Sequence, residues 1–429
     1  MIKLIILLVI ITICKALKNT NVRSFFATTV PGLESILLKE IKRIGTGKGV
    51  SNVQKGRAGV YFDCDNDIVP IEMTLWLRTS LKMMEKVCSG KNIHRKRDLY
   101  DLIYSYDWTK IIDDKHTIKC DCIIGDSVSN ELNHSHFTSL TVKNAIVDQL
   151  REKLGSRPSI SVDNPDLVVL VYIHKDEVIC YRVWSGNESM HKRGYRQDAI
   201  HKAALRETTA AALLLATEFD GSNKEVIIDP MCGSGTILLE ASLILANTAP
   251  GLLYMGHSSA EISPNYAPPK YMTWLDNVDK IDLWDEIWEN TTALDRRKEL
   301  NDIGQKLLFG NDIHGGAVEL ASSSSKKLGV SNIIEWSNRD VSSYSPTMAD
   351  KIITNPPWNM RLNEGTEEAW SKLGSFLLNC PNKDNIWTLT ANPEFVISLK
   401  NQGLEPYGTI PFSSSGTPLR FVKYKKSLL

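Results

Sequence analysis

The chain has 429 residues, with 50 Lys+Arg against 50 Asp+Glu and hydrophobic and charged fractions of 42% and 23%. That length leaves room for two or three domains with ample core, and the balance excludes a chain dominated by disorder or by membrane spans. The charge is uneven: residues 1–200 carry 29 Lys+Arg against 23 Asp+Glu, about +6, and the remainder about −6. A mildly basic front half allows nucleic-acid contact without proving it. The eight cysteines are scattered. Cys120 and Cys122 are too close for a zinc knuckle and no CxxC partner exists, so reduced thiols and no metal are expected.

Met1-Ile2-Lys3, an apolar run from Leu4 to Ile13 and Cys14-Lys15-Ala16 have the three parts of a signal peptide, too short to span a bilayer. Residues 17–24 are basic, polar and free of acid, as in a transit peptide. Residues 1–24 are therefore expected to be a targeting presequence, with a misassigned start or a hydrophobic strand as the alternative. Phe25 to Val30 reads as a strand, Pro31-Gly32 as a turn, and Leu33 to Ile44 as an amphipathic helix ended by the glycines of 45–49. Gly59 to Asp63 reads as a strand and Glu72 to Val87 as a second helix. This economy suggests a small α+β sandwich of ferredoxin type. Lys91, Arg95, Lys96 and Arg97 form a basic loop that either contacts phosphates or is simply solvated. Thr117 to Ile124 alternates as a half-buried strand, and Ser139 to Leu154 is a helix. Leu167 to Ile173 and Val178 to Trp184 are strands joined by a turn. His134 and His136 lack the Cys or acidic neighbours of a metal site and read as loop histidines.

The back half turns on one stretch. Glu225-Val226-Ile227-Ile228 reads as a buried strand, Asp229-Pro230-Met231-Cys232-Gly233-Ser234-Gly235-Thr236 as a glycine turn, and Ile237 to Ala246 as a buried helix. Gly233 and Gly235 permit close backbone approach to a ligand at a helix N-terminus. The third glycine of a dinucleotide fingerprint and the Lys-Ser/Thr of a phosphate loop are both missing, so a phosphate cradle is not expected; a bare tight turn is the alternative. Leu308 to Asp312 reads as a strand with an acidic tip placed to accept ribose hydroxyls, or as a helix cap for the helix at 317–328. The gap from the glycine turn is about 80 residues instead of about 20, and residues 251–305, rich in Trp, Tyr and Pro, account for the excess. Lys351 to Thr354 leads into Asn355-Pro356-Pro357-Trp358. Two prolines stiffen the backbone there. The Asn355 side-chain oxygen and the Pro356 carbonyl can each accept an N–H of a nucleobase amine, localising its lone pair for attack on a sulfonium methyl. Trp358 offers a face for stacking the base.

Several stretches together resemble one family. They are Phe26-Ala27-Thr28-Thr29 with Gly32-Leu33-Glu34, Val142 to Asp148, Asp163-Asn164-Pro165-Asp166, Ile173-His174-Lys175-Asp176, His191-Lys192-Arg193-Gly194-Tyr195-Arg196, and Ala203 with Arg206-Glu207-Thr208 and Ala210-Ala211. This set is similar to the THUMP-containing guanine-N2 RNA methyltransferases, from about residue 25 almost to the C-terminus, and within them to the guanine-N2 half of the large-subunit rRNA enzymes. The resemblance implies a ferredoxin-like and THUMP RNA-binding region at 25–185 (THUMP about 63–183). A Rossmann-like class I methyltransferase domain would follow at 190–429. It implies S-adenosylmethionine held by Asp229, Pro230, Cys232, Gly233, Ser234, Gly235, Asp312 and Asp340, the last at the family's adenine contact. The base would be held by Asn355, Pro356, Pro357 and Trp358, and RNA by the basic loop with Lys143, Arg193 and Arg196. The expected reaction is methyl transfer to guanine N2 in structured RNA, rRNA before tRNA. The family's Tyr and Gly-Glu-Arg after the prolines are replaced by Trp358-Asn359-Met360-Arg361-Leu362. Adenine N6 therefore stays open as a target, as does a non-catalytic assembly factor. A bacterial-type rRNA enzyme with this presequence is expected in a plastid, with the cytoplasm as the alternative.

Overall fold

The computed structural model describes residues 22–126, 128–196, 205–254, 278–358, 365–381 and 384–427. The presequence expected at 1–24 lies almost wholly outside the described residues, as do Ala203, Arg361 and Leu362.

Strand β1 (Arg23–Thr28), helix α1 (Glu34–Gly45), β2 (Val50–Gly56), β3 (Gly59–Cys64), α2 (Ile68–Trp76) and β4 (Lys82–Gly90) follow the order of a ferredoxin-like unit. Phe25 and Ala27 of β1 pack under the helices with Leu37, Ile41, Ile71 and Met73, while Phe26 faces the other side of the sheet. The single helix expected over 72–87 is instead α2 followed by β4. The Glu40 carboxylate accepts the Arg78 and Thr79 N–H groups, each at 3.0 Å, and stops the helix. Met83 and Met84 then take opposite faces of the sheet, as a strand requires. Next come α3 (Lys96–Ser105), β5 (Thr117–Ile124), α4 (Ser135–Leu154), β6 (Ser159–Ile160), β7 (Leu167–His174) and β8 (Glu177–Val183). Pairing of β4 with β8 fuses the two units into one eight-stranded sheet, ordered β2-β3-β1-β4-β8-β7-β5-β6. The sheet curls until Arg57, in the β2–β3 turn, reaches Asp126 after β5 at 3.4 Å.

The back half contains α5 (Glu207–Ala216), β9 (Ile227–Asp229), α6 (Thr236–Leu245), α7 (Pro250–Tyr254), α8 (Val278–Ala293), α9 (Arg297–Ile303), β10 (Leu308–Asn311) and α10 (Gly315–Lys327). It continues with β11 (Ile334–Ser337), β12 (Lys351–Thr354), α11 (Thr366–Asn379), β13 (Ile386–Thr390), α12 (Pro393–Asn401), β14 (Leu404–Ser414) and β15 (Thr417–Lys426). The seven-stranded sheet runs β11-β10-β9-β12-β13-β15-β14. The first five of these strands are parallel, and β15 is antiparallel to both its neighbours. The strand order reverses between β9 and β12, so the C-terminal ends of those strands open a crevice.

The two halves share cores. Leu283, Trp284, Ile287 and Trp288 of α8 pack into the cluster built by α1 and α2. Helix α8 is thus a bracket between the halves. Beside it lies a buried polar cluster. Arg193, 1% exposed, donates to the carbonyls of Met190 and Arg78, both at 2.6 Å, and stands 3.5 Å from the fully buried Glu240 carboxylate. The Tyr195 hydroxyl donates to Glu240 at 2.9 Å. Arg193 is therefore a structural cation and does not reach RNA, contrary to the reading from its motif. Breaking a buried pair leaves the other charge unpaired, which costs about 3–5 kcal/mol. Arg193→Met should lower unfolding stability by about that amount, measured by urea denaturation; a loss below about 1 kcal/mol would remove this role.

Candidate active site

The ends of the central strands gather the chemistry. Asp229 closes β9, Asn311 and Asp312 close β10, Arg339 and Asp340 follow β11, and Asn355 follows β12; all line one cavity of about 1260 Å³. That exceeds the roughly 300–1,000 Å³ usual for a single small ligand, so a cofactor and a nucleobase ring fit together.

The glycine turn is folded onto β10. Cys232 N–H donates to the Asn311 carbonyl at 2.9 Å, Gly235 N–H to the Cys232 carbonyl at 2.9 Å, and Gly233 N–H to Asp312 Oδ2 at 2.8 Å. Gly233 has φ +54° and stands in open space, with Pro230, Cys232 and Ser234 beside it in the wall. Gly235 differs from its expected role. It does not line the cavity; its φ is +76°, and a Cβ there would stand 2.5 Å from the Trp336 ring. Glycine is needed at 235 for packing and a left-handed turn at the start of α6.

Helix α10 has His314 at its N-cap with no side-chain cap bond, so the helix-cap reading does not hold, and Asp312 instead lines the cavity. Its Oδ1 accepts the His314 N–H at 2.9 Å beside the start of α10, and its Oδ2 clamps Gly233. Each carboxylate oxygen retains capacity for a further bond from the cavity side. Asn311, missed from sequence, is fully buried: its Nδ2 donates to the Pro230 and Arg339 carbonyls at 3.2 and 3.0 Å, and its Oδ1 accepts Arg339 N–H at 3.2 Å. Ser342, through hydroxyl and N–H, and the Lys372 ammonium at 3.0 Å hold the Asp340 carboxyl down at about 2.

Asp229 is the opposite case. It is 1% exposed, and burial, with the nearby Asp312 charge adding to it, pushes its carboxyl up to about 7. At the tip of the neighbouring strand β12, Asn355 Oδ1 is buried and has no hydrogen-bond partner among the described residues. Two indoles hold the loop around it. Trp358 Nε1–H donates to the Leu389 carbonyl at 3.1 Å, and Trp370 Nε1–H donates to the Pro357 carbonyl at 2.9 Å. Trp370 is buried and meets Phe395 edge-on, with centroids 5.4 Å apart. Asn355 thus lines the cavity with a side-chain oxygen that accepts no bond from the described residues. Trp370 and Lys372 of α11 were not legible as site residues; a Trp at helical spacing reads as core.

Of the cations expected at RNA, Lys91, Arg95 and Arg97 are exposed, in ion pairs with Glu177, Asp98 and Asp101. Lys96 is exposed and Lys143 half-buried. Arg196 is a correction: it lines the active-site cavity, paired with Glu207 at 3.2 Å and bonded to the Leu205 carbonyl and Thr236 hydroxyl. Among the described residues no cluster of His, Cys, Asp and Glu could hold a metal ion, and no helix is long and apolar enough to cross a membrane.

A reversing parallel sheet, a glycine turn on its first strand, acidic tips on the neighbouring strands and an apolar wall define a Rossmann-like, S-adenosylmethionine-dependent methyltransferase. The cavity lining fits that cofactor: Asp312 would meet the ribose, Asp340 with Ile313 and Val341 would meet the adenine, and the Asp229 carboxyl would supply a buried counter-charge. Family models match in order along the chain: the RlmL ferredoxin-like domain at residues 24–83, the THUMP domain at 95–181 and the RMKL-like methyltransferase domain at 193–398. A putative RNA methyltransferase of Synechocystis is 31% identical over 95% of this chain and 98% of its own length. The ribosomal RNA large subunit methyltransferase K/L of Vibrio parahaemolyticus is 30% identical over 80% of this chain, which spans 45% of that protein. A putative methyltransferase solved with S-adenosylhomocysteine superposes with a TM-score of 0.78 at 19% identity, covering 95% of this chain and 99% of that one. The chain belongs to the family of THUMP-domain RNA methyltransferases.

Asp229 gives a pH test. Its folded pKa lies above the ordinary value of 3.8, so ionisation costs the empty protein stability progressively as pH rises to about 7. A bound sulfonium and ammonium favour the carboxylate and offset that cost. Affinity for S-adenosylmethionine should therefore rise from about pH 6 to about pH 8 and then level, with proton release. Calorimetry in two buffers of different ionisation heat checks it. Proton release persisting in Asp229→Asn would assign it to another group.

Proposed function

We propose that this protein methylates the N2 amine of a guanosine in structured RNA, with large-subunit rRNA as the substrate. The observation that carries the reading is the buried Asn355 oxygen without a partner at the end of β12. An unsatisfied buried acceptor costs about 1–3 kcal/mol, and a substrate N–H relieves it. An exocyclic amine is a poor nucleophile because its lone pair is delocalised into the ring. Asn355 Oδ1 accepts one N–H and the Pro356 carbonyl the other, turning the lone pair towards the methyl group that the bound cofactor supplies. Trp358, fixed through its own N–H, stacks on the extruded base; flipping it costs a few kcal/mol. The names and identities of the RNA methyltransferase relatives support RNA as substrate, and the rRNA large-subunit relative, of which this chain spans 45%, supports rRNA.

Asn355→Ala should reduce methyl transfer at least about 100-fold while leaving cofactor affinity nearly unchanged. Mass mapping of modified nucleosides in rRNA and tRNA, with and without the protein, reads the target. N6-methyladenosine in place of N2-methylguanosine would replace this reading.

We propose further that residues 1–24 carry the chain to a plastid, because an apolar segment followed by an acid-free basic stretch suits import through the secretory route. A fluorescent protein fused behind residues 1–30 should mark plastids. Diffuse cytosolic signal would refute targeting and leave the chemistry untouched.

A further inference from the structure

Two features that the active site does not use meet on the front half of the molecule. Lys96 opens α3, while His134, His136 and Phe137 stand at the start of α4. In the fold the Lys96 ammonium lies over the Phe137 ring, 5.9 Å from its centroid. The His134 and His136 rings lie 4.6 and 5.7 Å from the same ring. Phe137 is 53% exposed and belongs to none of the packed clusters; α4 buries Thr138, Val142, Ala145 and Ile146 on its other face. The core therefore makes no demand for an aromatic residue at 137. Leu140, one turn on, is exposed as well.

The charge around this patch is selective. Lys91, Arg95 and Arg97 are each paired with a carboxylate. Among the described residues the Lys96 ammonium has no carboxylate partner. It is thus the cation of this loop free to meet an anion.

We infer that Phe137, His134, His136 and Lys96 form a stacking platform for an unpaired nucleobase of the RNA substrate. This rests on the RNA-methyltransferase reading above and adds where and in what form the RNA is held. The exposed Phe137 ring, with the two imidazoles tilted against it at 42° and 57°, offers a π surface that every base can stack on without sequence preference. The ammonium beside them suits the flanking phosphate. A duplex hides its base faces, so the platform selects single-stranded or bulged segments. A protein partner of comparable affinity would need a broad apolar patch, whereas this one is rimmed by Asn133, Asn144 and the imidazoles, all exposed.

Fluorescence anisotropy with the full chain and one oligoribonucleotide, single-stranded or annealed to its complement, tests the proposal. Wild type should favour the single strand. Phe137→Ala should weaken single-strand binding by about 5- to 150-fold, the worth of one stacked base, with duplex binding and thermal midpoint unchanged. Phe137→Tyr should restore it. Lys96→Gln should lower the slope of log affinity against log salt by about one. Single-strand affinity in Phe137→Ala equal to wild type overturns the platform alone. Wild type that binds neither RNA overturns the RNA reading, and this inference with it.

Discussion

Two adjacent side chains at the end of β10 hold the site together. Asp312 takes the Gly233 N–H from a position 79 residues away in sequence. Asn311 ties the Pro230 carbonyl of the glycine turn to the backbone of Arg339 beyond β11. The loops after β9 and β11 are thereby both fixed to one strand tip. A buried amide suits the middle of this knot because it donates twice and accepts once without charge. The neighbouring carboxylate adds the negative charge at the edge that faces the cavity. Donors and acceptors of the cofactor site are thus set by the protein's own bonds before any ligand arrives, which is the condition for preorganised binding.

The same economy governs the relation of the two halves. Between α6 and β10 the described residues form α7, α8 and α9. The Trp284 and Trp288 rings, 5.5 Å apart, seat α8 against α1 and α2. Arg78, Arg193, Glu40 and Glu240 put two cations and two anions in the adjoining interior. A hydrophobic interface could slide; a set of buried charges cannot, because each shift leaves one unpaired. The front half with its THUMP domain is therefore held in fixed register with the cavity. A methyltransferase that selects one nucleotide in a large folded RNA needs that register, since the base it reads and the contacts that choose it lie on different domains.

Much of this was legible in the sequence, for physical reasons. The βαβ glycine turn, the strand at Lys351 to Thr354 and the Asn-Pro-Pro-Trp loop announce themselves because their chemistry is local. The strand β4 was not legible. Its residues satisfy helical spacing as well as alternation, and the choice is made by the Glu40 carboxylate, a distant partner. Arg193 and Arg196 look like RNA contacts because basic residues are usually solvated; their burial depends on Glu240 and Glu207, which only the fold brings near. Gly235 looks like a ligand glycine, yet the ring of Trp336 demands it. In each case local pattern was overridden by a tertiary partner far along the chain.

That the acceptor at the heart of the site is an amide has a chemical logic. A carboxylate at position 355 would also accept the amine's N–H, and more strongly. Facing a sulfonium, however, it would pair with the cation and compete with the amine for the methyl group. On the proposed reading a neutral Asn oxygen would orient the amine without either liability, and the proton could leave after transfer, so no strong base would be required at that point. The buried carboxyl sits instead on β9, at Asp229, where burial pushes it up to about 7. There it would supply counter-charge to a bound cofactor from the end of a different strand. The site divides its groups accordingly: carboxyls at the tips of β9 and β10, and a neutral amide at the tip of β12.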